Sequence, residues 1–158
     1  MKRIWILPAL VLLTGCSLRT ARAESVRLPR KTPDREITMR VTGYCPCGEC
    51  CNWKRNWLFR PVIASGPNKG KHKKVGCTAS GKMAGRGTIA ADARLFPFGT
   101  IMYVPGYGYG IVEDRGSAIK GHHIDLFYRS HLTAKKWGNR KLRVKVWYPP
   151  RKAIPARR

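Results

Sequence analysis

Between Thr88 and Phe127 glycine and proline cut the chain into apolar runs of four to six residues: Thr88–Asp92, Ile101–Val104, Tyr109–Asp114 and His123–Phe127. Short β-branched and aromatic runs bounded by turn residues read as strands. Upstream, Asp34–Tyr44 places Ile37, Met39 and Val41 at alternate positions, and downstream Leu142–Trp147 alternates again, so a first and a closing strand flank the set. Pro105–Tyr109 reads as the turn of a hairpin. One helical run stands out: Ser130 as N-cap, His131–Trp137 packing through Leu132 and Trp137, and Gly138 past its end. The pattern predicts an all-β domain of about six strands with one short helix, and 158 residues suit one domain plus extensions.

Charge then singles out part of that domain. The chain carries 32 Lys+Arg against 8 Asp+Glu, a formal charge of +24. After Glu49 the only acids are Asp92, Glu113, Asp114 and Asp125, all within the central stretch. Side chains alternate faces along a strand, so each Asp can point into a cleft while its neighbours pack. Such acids can also cap turns beside glycine. Their clustering in so cationic a chain favours a chemical task.

The motifs around these acids, in order, are Ala91-Asp92, Pro97-Phe98-Gly99-Thr100, Asp114-Arg115-Gly116-Ser117-Ala118-Ile119-Lys120-Gly121 and Ile124-Asp125-Leu126-Phe127. Together with Thr42-Gly43-Tyr44-Cys45 and Thr78-Ala79-Ser80-Gly81 they resemble the 3D domain, named for its three aspartates. That domain is the catalytic part of membrane-bound lytic transglycosylase A and of related bacterial cell-wall enzymes. The resemblance spans about residues 38–147. It departs in Phe98, where Leu is common, and in Arg115-Gly116-Ser117, where a double Gly is common; no carboxylate is lost. The resemblance implies a six-stranded double-psi β-barrel. It also implies catalytic roles for Asp125, Asp114 and Asp92, and substrate contacts from Thr78 and Ser80. Further candidate substrate contacts are Tyr107, if it stacks on a sugar rather than packing, and Lys120, a cation within the motif.

Outside residues 36–148 the chain reads as targeting and tether. Ile4–Leu13 is apolar but short, right for a signal segment rather than a span. It abuts Leu13-Thr14-Gly15-Cys16, which resembles a lipobox, so residues 1–16 are expected to be a lipoprotein-type signal with Cys16 lipidated; cleavage after Ala23 is the alternative. Residues 17–35 form a basic linker and residues 149–158 a basic, proline-rich tail. An exported protein of the cell envelope is expected, anchored at the outer membrane and facing the periplasm.

Cys45, Cys47, Cys50, Cys51 and Cys77 leave three readings open: disulfides, as exported chains often form, a zinc site of thiolates, or redox chemistry. Catalysis by them is not expected. His131 is read as structural. Asn52–Gly76 mixes Trp53, Trp57 and Phe59 with basic residues, as sugar-stacking platforms, as a nucleic-acid surface or as a loop filling a small core. No nucleic-acid-binding motif accompanies it, and no nucleic acid is expected as partner. No cofactor is expected either.

For mechanism, the resemblance implies a lytic transglycosylase. Asp125 acts first as acid and then as base while the 6-hydroxyl of N-acetylmuramic acid attacks its own anomeric carbon. Asp114 orients Asp125, and Asp92 completes the polar floor. A neighbouring carboxyl and burial should raise the pKa of Asp125 while Arg115 and Lys120 oppose that rise. The partners expected are peptidoglycan strands and, through the anchor, the membrane; positive charge would steer the protein to the anionic envelope. A non-catalytic wall-binding module is the competing class.

Overall fold

The computed structural model describes residue 29 and residues 31–150; the signal segment, Cys16, most of the linker and most of the tail lie outside the described residues. In chain order the elements are β1 (Arg35–Tyr44), α1 (Gly48–Cys51), β2 (Trp53–Arg55), β3 (Pro61–Ile63), β4 (Thr88–Ala91), β5 (Ile101–Val104), β6 (Gly108–Asp114), β7 (His123–Phe127), α2 (His131–Trp137) and β8 (Arg140–Trp147). Six strands close into a barrel in the order β1-β7-β4-β6-β5-β8, while β2 and β3 pair apart as a two-stranded ribbon. β1 runs parallel to β7 and β4 parallel to β6; the other neighbours in the barrel are antiparallel. Among the described residues no helix is long and apolar enough to cross a membrane.

Alternation explains the closure. Met39 and Val41 on β1, Ile89 and Ala91 on β4, Met102 and Val104 on β5, Val112 on β6, Ile124 and Leu126 on β7, and Val144 and Val146 on β8 all point inward and form one core. Phe96, from the β4–β5 connection, joins that core at 1% exposure. β4 is the exception to alternation: all four of its residues are buried. Its inner face meets the core, and its outer face, through Ala90, packs in a second cluster with Tyr44 and Phe127. β6 approaches β4 so closely that a Cβ on Gly110 would lie 2.6 Å from Ile89 Cδ1 and 2.7 Å from the Gly87 carbonyl oxygen. Only glycine fits there.

The helices depart from expectation in two ways. A second helix, α1, forms within the cysteine segment, which had been read only as a thiol cluster. On α2 the buried residues are Ala134 and Trp137, whereas Leu132 is 78% exposed. Residues three apart share a helix face, so once Trp137 packs against Tyr107 and Tyr128, Ala134 goes inward and Leu132 cannot. Ser130 occupies the N-cap position without a side-chain bond, and Gly138, at φ 71°, ends the helix.

Candidate active site

The site is one row of residues across the outside of four neighbouring strands. Asp125 lies between the buried Ile124 and Leu126 on β7 and therefore faces outward. Register places Thr42 of β1 beside it on one side and Ala90 of β4 on the other. Beyond Ala90, across a register shift between Ile89 and Ala90, comes Asp114 of β6. The two aspartates thus stand two strand spacings apart, roughly 9–10 Å between Cα atoms, with the Ala90 methyl group on the strand between them. Ala90 leaves the space that any larger side chain would fill. The resulting groove of about 280 Å³ is lined by Tyr44, Cys51, Ala90, Asp114, Asp125, Phe127 and the loops around Cys77 and Gly116.

Asp125 sits in a hydrogen-bonded chain. The Thr42 hydroxyl donates to Asp125 Oδ1 at 2.9 Å, and Thr42 Oγ1 lies 2.9 Å from His123 Nε2. Thr42 thus links His123 to Asp125. Burial, then Arg40, pushes the His123 pKa down. Burial is also the largest influence on Asp125. Thr42 and the Leu126 amide oppose it, the charge of Asp114 adds to it, and the carboxyl is held at about 6, above the ordinary 3.8. Asp125 therefore keeps a proton at mildly acidic pH.

Asp114 is anchored from three directions. Its Oδ2 accepts from the Tyr44 hydroxyl at 3.1 Å, and its Oδ1 accepts from the amides of Ala79 at 3.0 Å and Arg115 at 2.8 Å. Burial first, and Asp114 next, push the Tyr44 hydroxyl far above its usual range, so Tyr44 remains a donor. Thr42 and Tyr44 belong to the motif Thr42-Gly43-Tyr44-Cys45 but were not among the expected site residues. Their signal was present, since both lie on the face of β1 opposite Met39 and Val41.

The other expected site residues stand elsewhere. Asp92 does not share the floor with Asp125. It is 4% exposed, receives a two-pronged bond from Arg94 at 3.0 and 2.8 Å, and accepts the Gly121 amide at 3.1 Å. The Arg94 guanidinium, then Gly121, hold its carboxyl well below the usual range against the opposing effect of burial. Asp92 and Lys120 line a neighbouring groove, separated from the first by the wall Arg115-Gly116-Ser117 and Ile119 that both grooves share. Asp92 pins the loop leading into β7, so its link to Asp125 runs through the backbone.

Thr78 is buried, bonding Ser80 Oγ and the Lys82 backbone, while the Ser80 amide donates to Glu113 O. These bonds brace the turn that presents the Ala79 amide to Asp114. Tyr107 is a packing residue rather than a platform: its hydroxyl accepts from Gly87 N at 3.0 Å and donates to Phe127 O at 3.1 Å, and its ring meets Tyr128 edge-on. Glu113 pairs with Lys82 at 2.9 Å. In the Asn52–Gly76 segment Trp53 is tied down, donating to Pro46 O at 2.9 Å, whereas Trp57 at 84% and Phe59 at 76% are exposed and fill no core. Cys45, Cys47 and Cys50 gather with His131; Cys51 and Cys77 line the groove, and all five thiols are free.

Comparison with known proteins bears on this arrangement. Residues 87–148 match the family model of the 3D domain. The "Putative cell wall shaping protein YabE" of Bacillus subtilis (strain 168) is 45% identical over 58 residues, 37% of this chain and 14% of that protein. The cell wall-binding protein YocH of the same organism is 41% identical over 75 residues, 45% of this chain and 26% of that protein. The chain thus spans about a quarter or less of the length of these relatives. Among solved structures, MltA from E. coli is 24% identical over 50% of this chain and 30% of that chain, with a TM-score of 0.39.

Proposed function

We propose, on the premise that residues 87–148 are a 3D domain, that this protein is a peptidoglycan lytic transglycosylase with Asp125 as its acid and base. The observation that carries the reading is a carboxyl held protonated to about pH 6 at the floor of an open groove. The closed barrel, with its parallel pairs β1–β7 and β4–β6, is then the double-psi arrangement. As an exported envelope protein held through Cys16, it would meet its substrate where its charge of +24 favours anionic polymer.

Glycosidic cleavage needs a proton at the leaving oxygen and stabilisation of an oxocarbenium-like centre. Asp125 gives its proton to the oxygen leaving C1 of N-acetylmuramic acid, and the C1–O bond to N-acetylglucosamine breaks. The 6-hydroxyl of the same muramic acid closes on C1, and its proton passes to the Asp125 carboxylate, which restores the acid. The nucleophile is tethered, so closure is unimolecular and water is not consumed. Asp114, fixed by Tyr44, Ala79 and Arg115, raises the proton affinity of Asp125 from across Ala90. Lys120 lines the neighbouring groove beyond the loop wall and is read as a substrate contact from there.

Mass spectrometry of digested sacculi tests the reading. 1,6-Anhydro-muropeptides are expected; reducing ends would mean a hydrolase. Binding without release would establish the second reading, a wall-binding module, which the name of YocH favours. The pH profile adds a prediction. Because protonated Asp125 is the active form, turnover should fall as pH rises through about 6. The Thr42 hydroxyl favours the carboxylate, so Thr42→Val should move that fall upward by roughly 0.5–1 pH unit, the worth of one hydrogen bond. A profile that stays in place in the variant would remove Thr42 from the site.

A further inference from the structure

Where β1 and β7 end side by side, four metal-binding atoms meet. The Tyr128 amide donates to Tyr44 O at 2.8 Å, so the segments beginning at Cys45 and at Tyr128 leave the barrel together. Cys45 is buried at the end of β1, and Cys47 is the N-cap of α1, where its sulfur accepts the Cys50 amide at 3.4 Å. That turn sets Cys47 and Cys50 on the same side, facing His131 at the start of α2. His131 Nδ1 lies 3.7 Å from Cys45 Sγ, 3.5 Å from Cys47 Sγ and 3.5 Å from Cys50 Sγ, and the sulfurs of Cys45 and Cys50 are 3.7 Å apart.

These distances are the edges of a coordination tetrahedron. With Zn–S near 2.3 Å and Zn–N near 2.0–2.1 Å, tetrahedral geometry gives S···S edges of about 3.8 Å and S···N edges of about 3.5–3.6 Å. The other ring nitrogen of His131, Nε2, lies 3.5 Å from Glu49 Oε2, and a carboxylate is one of the partners that metal-bound imidazoles take. A disulfide would use two of the three sulfurs and leave the third sulfur and the imidazole without a role. A metal uses all four.

We propose that Cys45, Cys47, Cys50 and His131 bind one zinc ion in a closed Cys3His site. Three thiolates and an imidazole in tetrahedral array suit zinc above the harder divalent cations, and four protein ligands leave no open position for catalysis. The site is structural. It ties the segment following Tyr44 to α2, and Tyr44 holds Asp114, so the ion braces the groove from one end. This inference does not depend on the wall chemistry proposed above.

The full chain, purified without chelator, should carry one zinc ion per molecule by elemental analysis. Replacement by cobalt should give the thiolate charge-transfer and tetrahedral ligand-field bands. Cys47→Ser should lose most of the metal, whereas Cys77→Ser, outside the cluster, should keep it. Where Cys47→Ser does not fold, alkylation of the wild-type chain decides the matter: Cys45, Cys47 and Cys50 should be protected until a chelator is added, and Cys77 should react throughout. A chain that takes up no zinc or cobalt when reduced, alkylation that chelator does not change, or equal metal loss in Cys47→Ser and Cys77→Ser would each overturn the proposal.

Discussion

Asp125→Asn is expected to stop the release of anhydro-muropeptides and, at pH 7.5, to leave the folded chain more stable than the parent. The loss of activity should be about 10²–10⁴-fold, the usual contribution of a positioned acid or base. The gain in stability follows from the same property. In the folded chain the carboxyl titrates at about 6, against 3.8 ordinarily. Its contribution to stability is full below about 3.8 and is lost as pH rises through about 6, because the folded state then holds a charge that burial disfavours. Asparagine never acquires that charge. Above pH 6 the variant should lead by on the order of 1–3 kcal/mol, and near pH 4 the difference should vanish. Digests and thermal unfolding at both pH values check this. A variant as active as the parent, or one less stable at pH 7.5, would take Asp125 out of its assigned role.

The second large effect concerns the fold alone. Phe96→Ala should cost about 3–5 kcal/mol, the usual result of emptying a fully buried aromatic site, and should lower Tm by about 10–20 °C for a domain of this size. Phe96 is 1% exposed and stacks against Tyr148 with ring centroids 6.4 Å apart. Its neighbour Phe98 is 38% exposed, so Phe98→Ala should cost about 1 kcal/mol or less. Thermal melts of the two variants decide the ranking. Equal shifts would mean that Phe96 is not the plug of the barrel.

That pair also shows where sequence reading stops. The motif Pro97-Phe98-Gly99-Thr100 drew the eye to Phe98, while the residue that fills the core stands just before it. Strands with a solvated face were legible because alternation is local: β1, β5, β7 and β8 follow their apolar pattern. β4 was legible as a strand but not as a strip buried on both faces, since its outer cover comes from Tyr44 and Phe127 far along the chain. Asp125 and Asp114 could be read from their motifs. That Ala90 lies between them, and that Asp92 lies across a loop, depends on pairing register, which neighbouring residues in sequence do not encode. The meeting of Cys45 with His131 is of the same kind. It follows from β1 lying parallel to β7, and parallel pairing between distant segments leaves no trace in spacing.

The ring closes through β1 and β8, where Arg35 faces Val146. A growing polypeptide therefore cannot complete the barrel until its last strand has been made, and contacts so distant in sequence form slowly. Thr42 and Asp125, from strands far apart in the sequence, come into register only once β7 has been made and pairs with β1. A nascent or truncated chain would carry the candidate site residues without the groove that joins them.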